Sequence, residues 1–425
     1  MNDFSELGLI PELLRALRDS QYESPTPIQA KAIPVALRGE DLLGCAQTGT
    51  GKTASFLLPM LQRLSAGRCG ALRALVLTPT RELCAQIGES AKTYGKYLPL
   101  RSTAVFGGVG IFPQLQQLRS GVDLLIATPG RLLDHMERRS VDFRALEVLV
   151  LDEADRMLDM GFLPDVRRIL KALPAVRQTL FFSATMPPEV ERMIHETLKA
   201  PVIIEAGRRS RPVDAVRQVA FPVEAARKSD LLCHLLGRNE MRQVLVFTRT
   251  KARAERLARH LKRTGRRVAA LHGNKSQNQR IQALSRFKSG RIDVLVATDI
   301  AARGLDVEGI SHVINFDVPN VPEDYVHRIG RTARAEATGD AISLFSSEEA
   351  ASLRGIERLT GMAIAREVVD GFAPGPGFMN APADPPAAAG GTHRRPGGSR
   401  PFQASGKRNW KPRRFGPSRR RRSAR

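Results

Sequence analysis

Short runs of consecutive apolar residues recur along the chain, separated by longer amphipathic stretches. In the first half the runs are Ala74-Leu-Val-Leu-Thr78, Asp123-Leu-Leu-Ile-Ala127, Val148-Leu-Val-Leu-Asp152 and Thr179-Leu-Phe-Phe-Ser183. In the second they are Val244-Leu-Val-Phe-Thr248, Val294-Leu-Val-Ala-Thr298, His312-Val-Ile-Asn-Phe316 and Ala341-Ile-Ser-Leu-Phe345. Unbroken apolar runs of this length suit strands covered on both faces, as in a parallel sheet. The stretches between them are long enough for crossover helices, so both halves read as α/β architecture. Many runs end on a polar residue followed by Pro, Gly or an acid. In doubly wound sheets ligands bind just beyond the carboxyl ends of strands, so the chemistry is expected in those loops.

The pattern also sets the domain plan. Residues 206–214 (Ala-Gly-Arg-Arg-Ser-Arg-Pro-Val-Asp) are polar, basic and broken by Gly and Pro, and read as a linker between a domain over 1–205 and one over 215–370. From residue 371 to 425 the chain is rich in Gly, Pro, Ala and Arg. It holds too little apolar surface to fold and reads as a disordered basic tail. The two halves look like related copies of one architecture.

Charge sharpens this picture. The 425 residues carry a net +23 and a pI near 10.8, which points to a polyanionic partner, nucleic acid before an anionic membrane surface. About half of the excess lies in the tail, where thirteen Lys/Arg face the single acid Asp384. The cysteines, Cys45, Cys69, Cys84 and Cys233, form no C-x-x-C pair and read as small buried hydrophobes in a reducing cytoplasm. The N-terminus does not look like a secretory signal, and no stretch is long and apolar enough to span a membrane. The expected location is cytoplasmic.

Two motifs carry phosphate chemistry. Ala46-Gln47-Thr48-Gly49-Thr50-Gly51-Lys52-Thr53 follows a short strand and precedes an apolar helical stretch. Its glycines allow backbone N–H groups to turn inward around phosphate oxygens, with Lys52 reaching the β and γ phosphates and the Thr53 hydroxyl suited to Mg²⁺. Ala46 stands where the general pattern has its first glycine. Val148-Leu-Val-Leu-Asp-Glu-Ala-Asp155 ends an apolar strand in carboxylates, placing Asp152 near the metal and Glu153 to orient and deprotonate the attacking water. Alone, either motif also fits a bland reading, a glycine-rich turn or a solvated acidic one. Together they favour an ATPase. His327-Arg-Ile-Gly-Arg-Thr-Ala-Arg334 sets Arg331 and Arg334 at three-residue spacing, suited to stabilising charge on the γ-phosphate; a basic surface patch is the plain alternative.

Asp-Glu-Ala-Asp, with the phosphate loop before it and His-Arg-Ile-Gly-Arg after it, resembles the DEAD-box RNA helicases over about residues 2–350. The resemblance implies two RecA-like domains with parallel sheets, ATP and Mg²⁺ as cofactors, and RNA as substrate. Tyr22-Glu-Ser-Pro-Thr-Pro-Ile-Gln29 resembles the Q motif, whose Gln29 amide pairs with adenine while the upstream Phe4 stacks on the base. Pro79, Thr80 and Arg81, then Gly107 and Gly108, then Thr128, Pro129, Gly130 and Arg131 resemble first-domain RNA-backbone contacts. Ser183 and Thr185 resemble the motif that couples hydrolysis to strand separation, with His327 a partner across the cleft. In the second domain Thr248, Arg249, Gly273, Gln277, Arg280 and Thr298 resemble the RNA and interdomain residues. Asp306 resembles the ribose contact, and Arg331 and Arg334 the arginine fingers. The stretches 244–251 and 272–277 are similar to the bacterial RNA-helicase-E type. Two positions depart from the family pattern. Ala333 replaces a glycine between the fingers, where an altered rate is expected, and Cys84 replaces an alanine.

The resemblance implies a cycle in which ATP and RNA together close the two domains, bend one strand and peel its partner locally and non-processively. The tail is expected to tether RNA through Arg394, Arg395, Arg400 and the arginine run 419–422, with Trp410 and Phe415 available to stack on bases. Structured or ribosomal RNA and ribosome-assembly or RNA-degradation partners fit this reading, as does a monomer. An RNA chaperone or annealing clamp is the alternative from another class. A DNA helicase is a third, and a membrane-surface role for the tail is disfavoured because it lacks an amphipathic helix.

Overall fold

The computed structural model describes residues 3–46, 50–67, 69–205, 216–237, 241–302, 310–332 and 339–372. The chain divides into a compact unit over 1–380 and a second over 381–425, and every described residue belongs to the first. The expected linker, 206–214, falls outside the described residues, as does the tail beyond Phe372.

The apolar runs are strands. In the first half β1 (Leu42–Cys45), β2 (Ala74–Leu77), β3 (Ser102–Val105), β4 (Leu124–Ala127), β5 (Val148–Leu151), β6 (Gln178–Ser183) and β7 (Val202–Glu205) form one sheet in the order β3-β4-β2-β5-β6-β1-β7. In the second half β8 (Val216–Pro222), β9 (Val244–Phe247), β10 (Val268–Leu271), β11 (Val294–Ala297), β12 (His312–Asn315), β13 (Gly339–Phe345) and β14 (Ala365–Arg366) form another, ordered β10-β11-β9-β12-β13-β8-β14. Counted from the first strand of each half, the two orders are the same, and all pairings are parallel. The halves are thus two copies of one doubly wound topology, as the sequence pattern suggested.

The central strands β2, β4, β5, β9, β11 and β12 are buried along their whole length, because helices cover both faces of each sheet. Each sheet therefore separates two apolar layers. In the first, Phe56, Leu57 and Phe182 lie in one layer, and Phe181, Leu149 and Met157 in the other. The second lobe repeats this and adds a layer around Tyr325 and Ile329.

Two expectations need correction. The folded chain runs past residue 370: the Gly371 carbonyl accepts a hydrogen bond from Arg227 (2.7 Å), and the Phe372 ring packs against Arg227 and His234. Of the four cysteines, all free thiols, Cys69 is exposed, on a turn before β2, whereas Cys84 is fully buried and burial pushes its thiol far above the usual range.

Candidate active site and nucleic-acid face

The phosphate loop leaves the carboxyl end of β1. The Ala46 N–H donates to the Ser183 carbonyl (3.2 Å), tying the loop's start to the end of β6. Gln47, Thr48 and Gly49 lie outside the described residues. The loop closes on Gly51 at φ +90°, where a Cβ would collide with the Gln29 amide and lie 2.9 Å from Thr26 Oγ1, so only glycine fits. Lys52 then starts the helix Lys52–Ser65, with Thr53 beside it. Lys52 is 6% exposed, yet its ammonium has no hydrogen-bond partner among the described residues.

Beside it, β5 delivers Asp152, which is 2% exposed and whose Oδ1 is likewise unpartnered there. Burial pushes the Asp152 carboxyl up to about 7, the Lys52 charge opposing and the Glu153 charge reinforcing the shift. A buried ammonium and a buried carboxylate oxygen, each lacking a partner, suit a phosphate and a hard divalent cation respectively.

Glu153 turns the corner from strand to helix in the left-handed region, φ 53° and ψ 53°, a costly conformation for a non-glycine residue that aims its carboxylate into the cleft. Burial raises its pKa. The opposing pull of Arg156, with which it forms a buried ion pair, and of Lys52 and Arg331 outweighs this and keeps it below the usual value. Glu153 is thereby kept ionised.

Asp155 binds the end of β6. Its Oδ2 accepts from the backbone N–H groups of Ala184 (3.1 Å) and Thr185 (2.8 Å) and from the Thr185 hydroxyl (2.9 Å). The Ser183 hydroxyl accepts from the Asp155 N–H and donates to the Thr185 carbonyl. Ser183 and Thr185 are thus locked to the acidic loop. From the second lobe, His327 faces Asp155, Arg156 and Asp159, with Arg331 on its own lobe. Burial first, then the Arg156 and Arg331 charges, depress its pKa and favour the neutral ring. Arg331 is buried and acts electrostatically on Glu153, so its charge reaches that carboxylate from the opposite lobe. Arg334 and Asp306 lie outside the described residues.

Gln29 holds two roles open. Its Oε1 accepts the Thr26 N–H (2.9 Å), while its Nε2 donates to the Gly51 carbonyl (3.1 Å). One N–H and one lone pair remain, enough for an adenine edge. Phe4 is 3% exposed, packed in the first-lobe core with its ring edge-on to Tyr22. The turn Phe4–Leu7 folds its apolar residues inward, which fixes the ring against the first-lobe core.

Among the expected RNA contacts, several secure the protein itself. The Arg81 guanidinium lies over Gly107 and Gly108, the latter at φ +81°, where a side chain would collide with it. Arg131 donates to the Val109 carbonyl (3.1 and 3.2 Å) and to Gln114 Oε1 (3.0 Å), fixing that glycine loop. Gln277 and Arg280, which resemble RNA and interdomain residues, both reach across the lobes to the buried Glu82, at 2.9 and 3.0 Å, because a carboxylate sequestered there needs cationic and N–H partners. Arg249 donates to Val318 O and pairs with Glu349 (3.1 Å).

Thr80 and Thr250 follow the equivalent strands β2 and β9 and cap helices, accepting from Leu83 and Arg253 N–H. The helices that start after Pro79 and Thr80, after Thr128 and after Thr250 turn their N-terminal ends to that side of the sheets, a setting that suits phosphates. Thr298 caps a short turn, and Gly273 lies under the Lys251 side chain. Glu82, Asp155 and Arg156 had no role in the sequence reading. Their signals were present: Glu82 lies inside Thr-Arg-Glu-Leu, and Arg156 stands three residues after Glu153, on the same helix face.

Residues 26–193 match the DEAD/DEAH box helicase family, and residues 227–336 the helicase conserved C-terminal domain. The DEAD-box ATP-dependent RNA helicase CshA of Geobacillus kaustophilus is 42% identical over 360 residues, 85% of this chain and 77% of that protein. The ATP-dependent rRNA helicase RRP3 of Saccharomyces cerevisiae is 43% identical over 369 residues, 86% and 74% of the two chains. Among solved structures, S. cerevisiae Dbp5 bound to RNA and ADP BeF3 has a TM-score of 0.76 at 31% identity, covering 87% of this chain and 96% of that one. A DEAD box protein from Methanococcus jannaschii is 37% identical with a TM-score of 0.53, covering 86% and 99%.

Proposed function

We propose, from the premise that this chain belongs to the DEAD-box ATP-dependent RNA helicases, a division of labour among its residues in the activity that membership carries. The chain is an RNA-stimulated ATPase with two RecA-like lobes, and it couples ATP hydrolysis to RNA unwinding or ribonucleoprotein remodelling.

The observation that carries the assignment is the pair of buried, unpartnered groups at the ends of β1 and β5, the Lys52 ammonium and Asp152 Oδ1. Lys52 takes the β and γ phosphates. Thr53 and Asp152 would hold Mg²⁺, which supplies charge neutralisation on the phosphate oxygens when bound. Glu153, kept ionised, orients the attacking water and takes its proton. Arg331, with Arg334, compensates charge as hydrolysis proceeds. Gln29 reads adenine with its spare N–H and lone pair while holding Gly51, so base recognition and loop shape are linked. Asp306 completes ribose binding.

Closure is the coupling step. Glu82 bridged to Gln277 and Arg280, and His327 facing Asp155, support reading this arrangement as the closed state. The better agreement with RNA- and nucleotide-bound Dbp5 than with the more identical archaeal protein supports it too. In that state the loops carrying Thr80, Arg81, Gly107, Gly108, Thr128 and Gly130 line up with those carrying Thr248, Gly273 and Thr298 to hold one RNA strand by its backbone. Loss of the γ-phosphate removes the reason for Arg331 to stay, and the lobes part. Unwinding is accordingly local and non-processive.

The lobes are assigned to 1–205 and 215–372, with 206–214 as linker and 373–425 as a tether for RNA. Structured or ribosomal RNA in the cytoplasm is the proposed substrate; the relative RRP3 is named an rRNA helicase, and no described helix is long and apolar enough to cross a membrane. The RNA-helicase-E likeness of 244–251 and 272–277 stands beside a group of relatives named CshA, and supports a general bacterial RNA-remodelling role. The charge of the tail favours a second contribution, annealing or clamping of RNA. Deleting the tail separates the two: loss of annealing with RNA-stimulated hydrolysis retained assigns each activity to its own part.

The test is ATP hydrolysis with and without structured RNA, for the intact chain and for Glu153→Gln. Strong RNA stimulation abolished by the substitution supports the assignment. No stimulation despite tight RNA binding contradicts it.

A further inference from the structure

Phe112 is 76% exposed, a large aromatic ring in water on an otherwise well-buried fold. It is the second residue of the helix Ile111–Arg119, four residues after Gly108. That helix is rigidly seated. Gln114 is buried, donates to the Phe106 carbonyl (3.1 Å), and accepts from Arg131 (3.0 Å) and from His135, whose Nε2 lies 3.2 Å away. The same Arg131 fixes the glycine loop through the Val109 carbonyl, so loop and ring form one body. No acidic residue occurs between Phe106 and Val122, so the surroundings of the ring do not repel a polyanion.

We infer that Phe112 stacks on an unpaired base of the RNA strand whose backbone is held at the Gly107–Gly108 loop. The inference rests on the RNA face assigned above and adds a base contact to a surface otherwise built for backbone. Four residues of chain span at most about 14 Å, a reach of about two nucleotides from that loop. Aromatic stacking accepts any base, so the contact tightens binding without imposing sequence. A ring fixed on a helix also loses little freedom on binding. Because it neutralises no phosphate, it leaves the salt dependence of binding unchanged.

The experiment compares the full chain with Phe112→Ala, Phe112→Leu and Phe112→Trp, measuring affinity for a single-stranded RNA of mixed sequence in a non-hydrolysable ATP analogue across a salt series. Phe112→Ala is expected to weaken binding about tenfold at every salt, within the range of base stacking, with an unchanged slope. Phe112→Leu recovers little and Phe112→Trp recovers binding fully. In a Trp410→Phe background, the fluorescence of the tryptophan introduced by Phe112→Trp is quenched on adding RNA. Parent-level binding by Phe112→Ala, or a fluorescence unmoved by RNA, overturns the inference and hands the exposed ring to a protein partner. A parent chain whose hydrolysis ignores RNA contradicts the proposed function itself, an outcome distinct from either.

Discussion

Two lysines occupy the same place in the two lobes. Lys52 and Lys228 each begin the helix that follows the first strand of their sheet, and the sheets share one strand order. Both are buried. Lys228 is enclosed by protein: its ammonium donates to the Phe316 carbonyl (2.8 Å) and pairs with Glu349, which in turn holds Arg249. Among the described residues Lys52 has no such hydrogen-bond partner, and its neighbour Asp152 keeps an oxygen unpartnered there. The first lobe leaves its charges incomplete where a ligand completes them; the second spends the equivalent lysine on its own cohesion. One strand order used twice thus carries a half that holds Lys52, Asp152 and Glu153 and a half that supplies the reach of Arg331, His327 and Arg280. Burial alone does not distinguish the two lysines. The presence or absence of a hydrogen-bonded protein partner for the ammonium does.

The largest effects should come from exchanging these roles. Lys52→Ala is expected to lower ATP hydrolysis by about 10²–10³-fold while changing denaturant stability less than Lys228→Ala does, since no hydrogen-bonded partner is orphaned. Lys228→Ala should do the reverse, costing about 3–5 kcal/mol in urea unfolding because Glu349 is left buried without its ammonium. If both variants lose stability alike, the comparison fails.

A smaller effect is expected at the seam. Glu82→Gln leaves Arg280 without its counter-charge, and should reduce RNA-stimulated hydrolysis about tenfold in a titration with RNA. Basal hydrolysis should change much less, because the seam forms only on closure.

The smallest is a stability signature of the first-lobe site, read without nucleotide. Burial holds the Asp152 carboxyl near 7, above its ordinary value of 3.8. Between those values the folded state binds more protons than the unfolded one. Stability of the ligand-free protein therefore falls as pH rises through that window, and the full cost is present above about 7. Asp152→Asn should remove that fall and raise the melting temperature at pH 8, by roughly 2–4 °C per kcal/mol recovered, although hydrolysis is lost. Scanning calorimetry at pH 5 and pH 8, without nucleotide, checks the sign.

The sequence made much of this readable, and the reason it stopped where it did is physical. Central strands such as Val148–Leu151 and Val294–Ala297 are apolar at every position because both faces are covered. The edge strands β3, β7 and β10 went unrecognised because exposed or half-covered positions interrupt their apolar pattern. The Lys52 and Asp152–Glu153 motifs are contiguous, so they stood out in one dimension. Glu82 with Arg280 joins residues nearly two hundred positions apart, and no local pattern marks such a pair. Arg131 shows the opposite limit. Its motif pointed to RNA, yet its guanidinium is committed to Val109 and Gln114.

The most direct test of the central claim is strand separation. The full chain is mixed with a short RNA duplex, ATP and Mg²⁺, beside Glu153→Gln under the same conditions. With duplex in excess, the account predicts that the parent separates strands turnover after turnover and requires ATP to do so, whereas the variant binds both ligands, closes and does not turn over, leaving the excess duplex paired. Separation by the variant at the parent's rate, or a parent that only anneals strands, would contradict it.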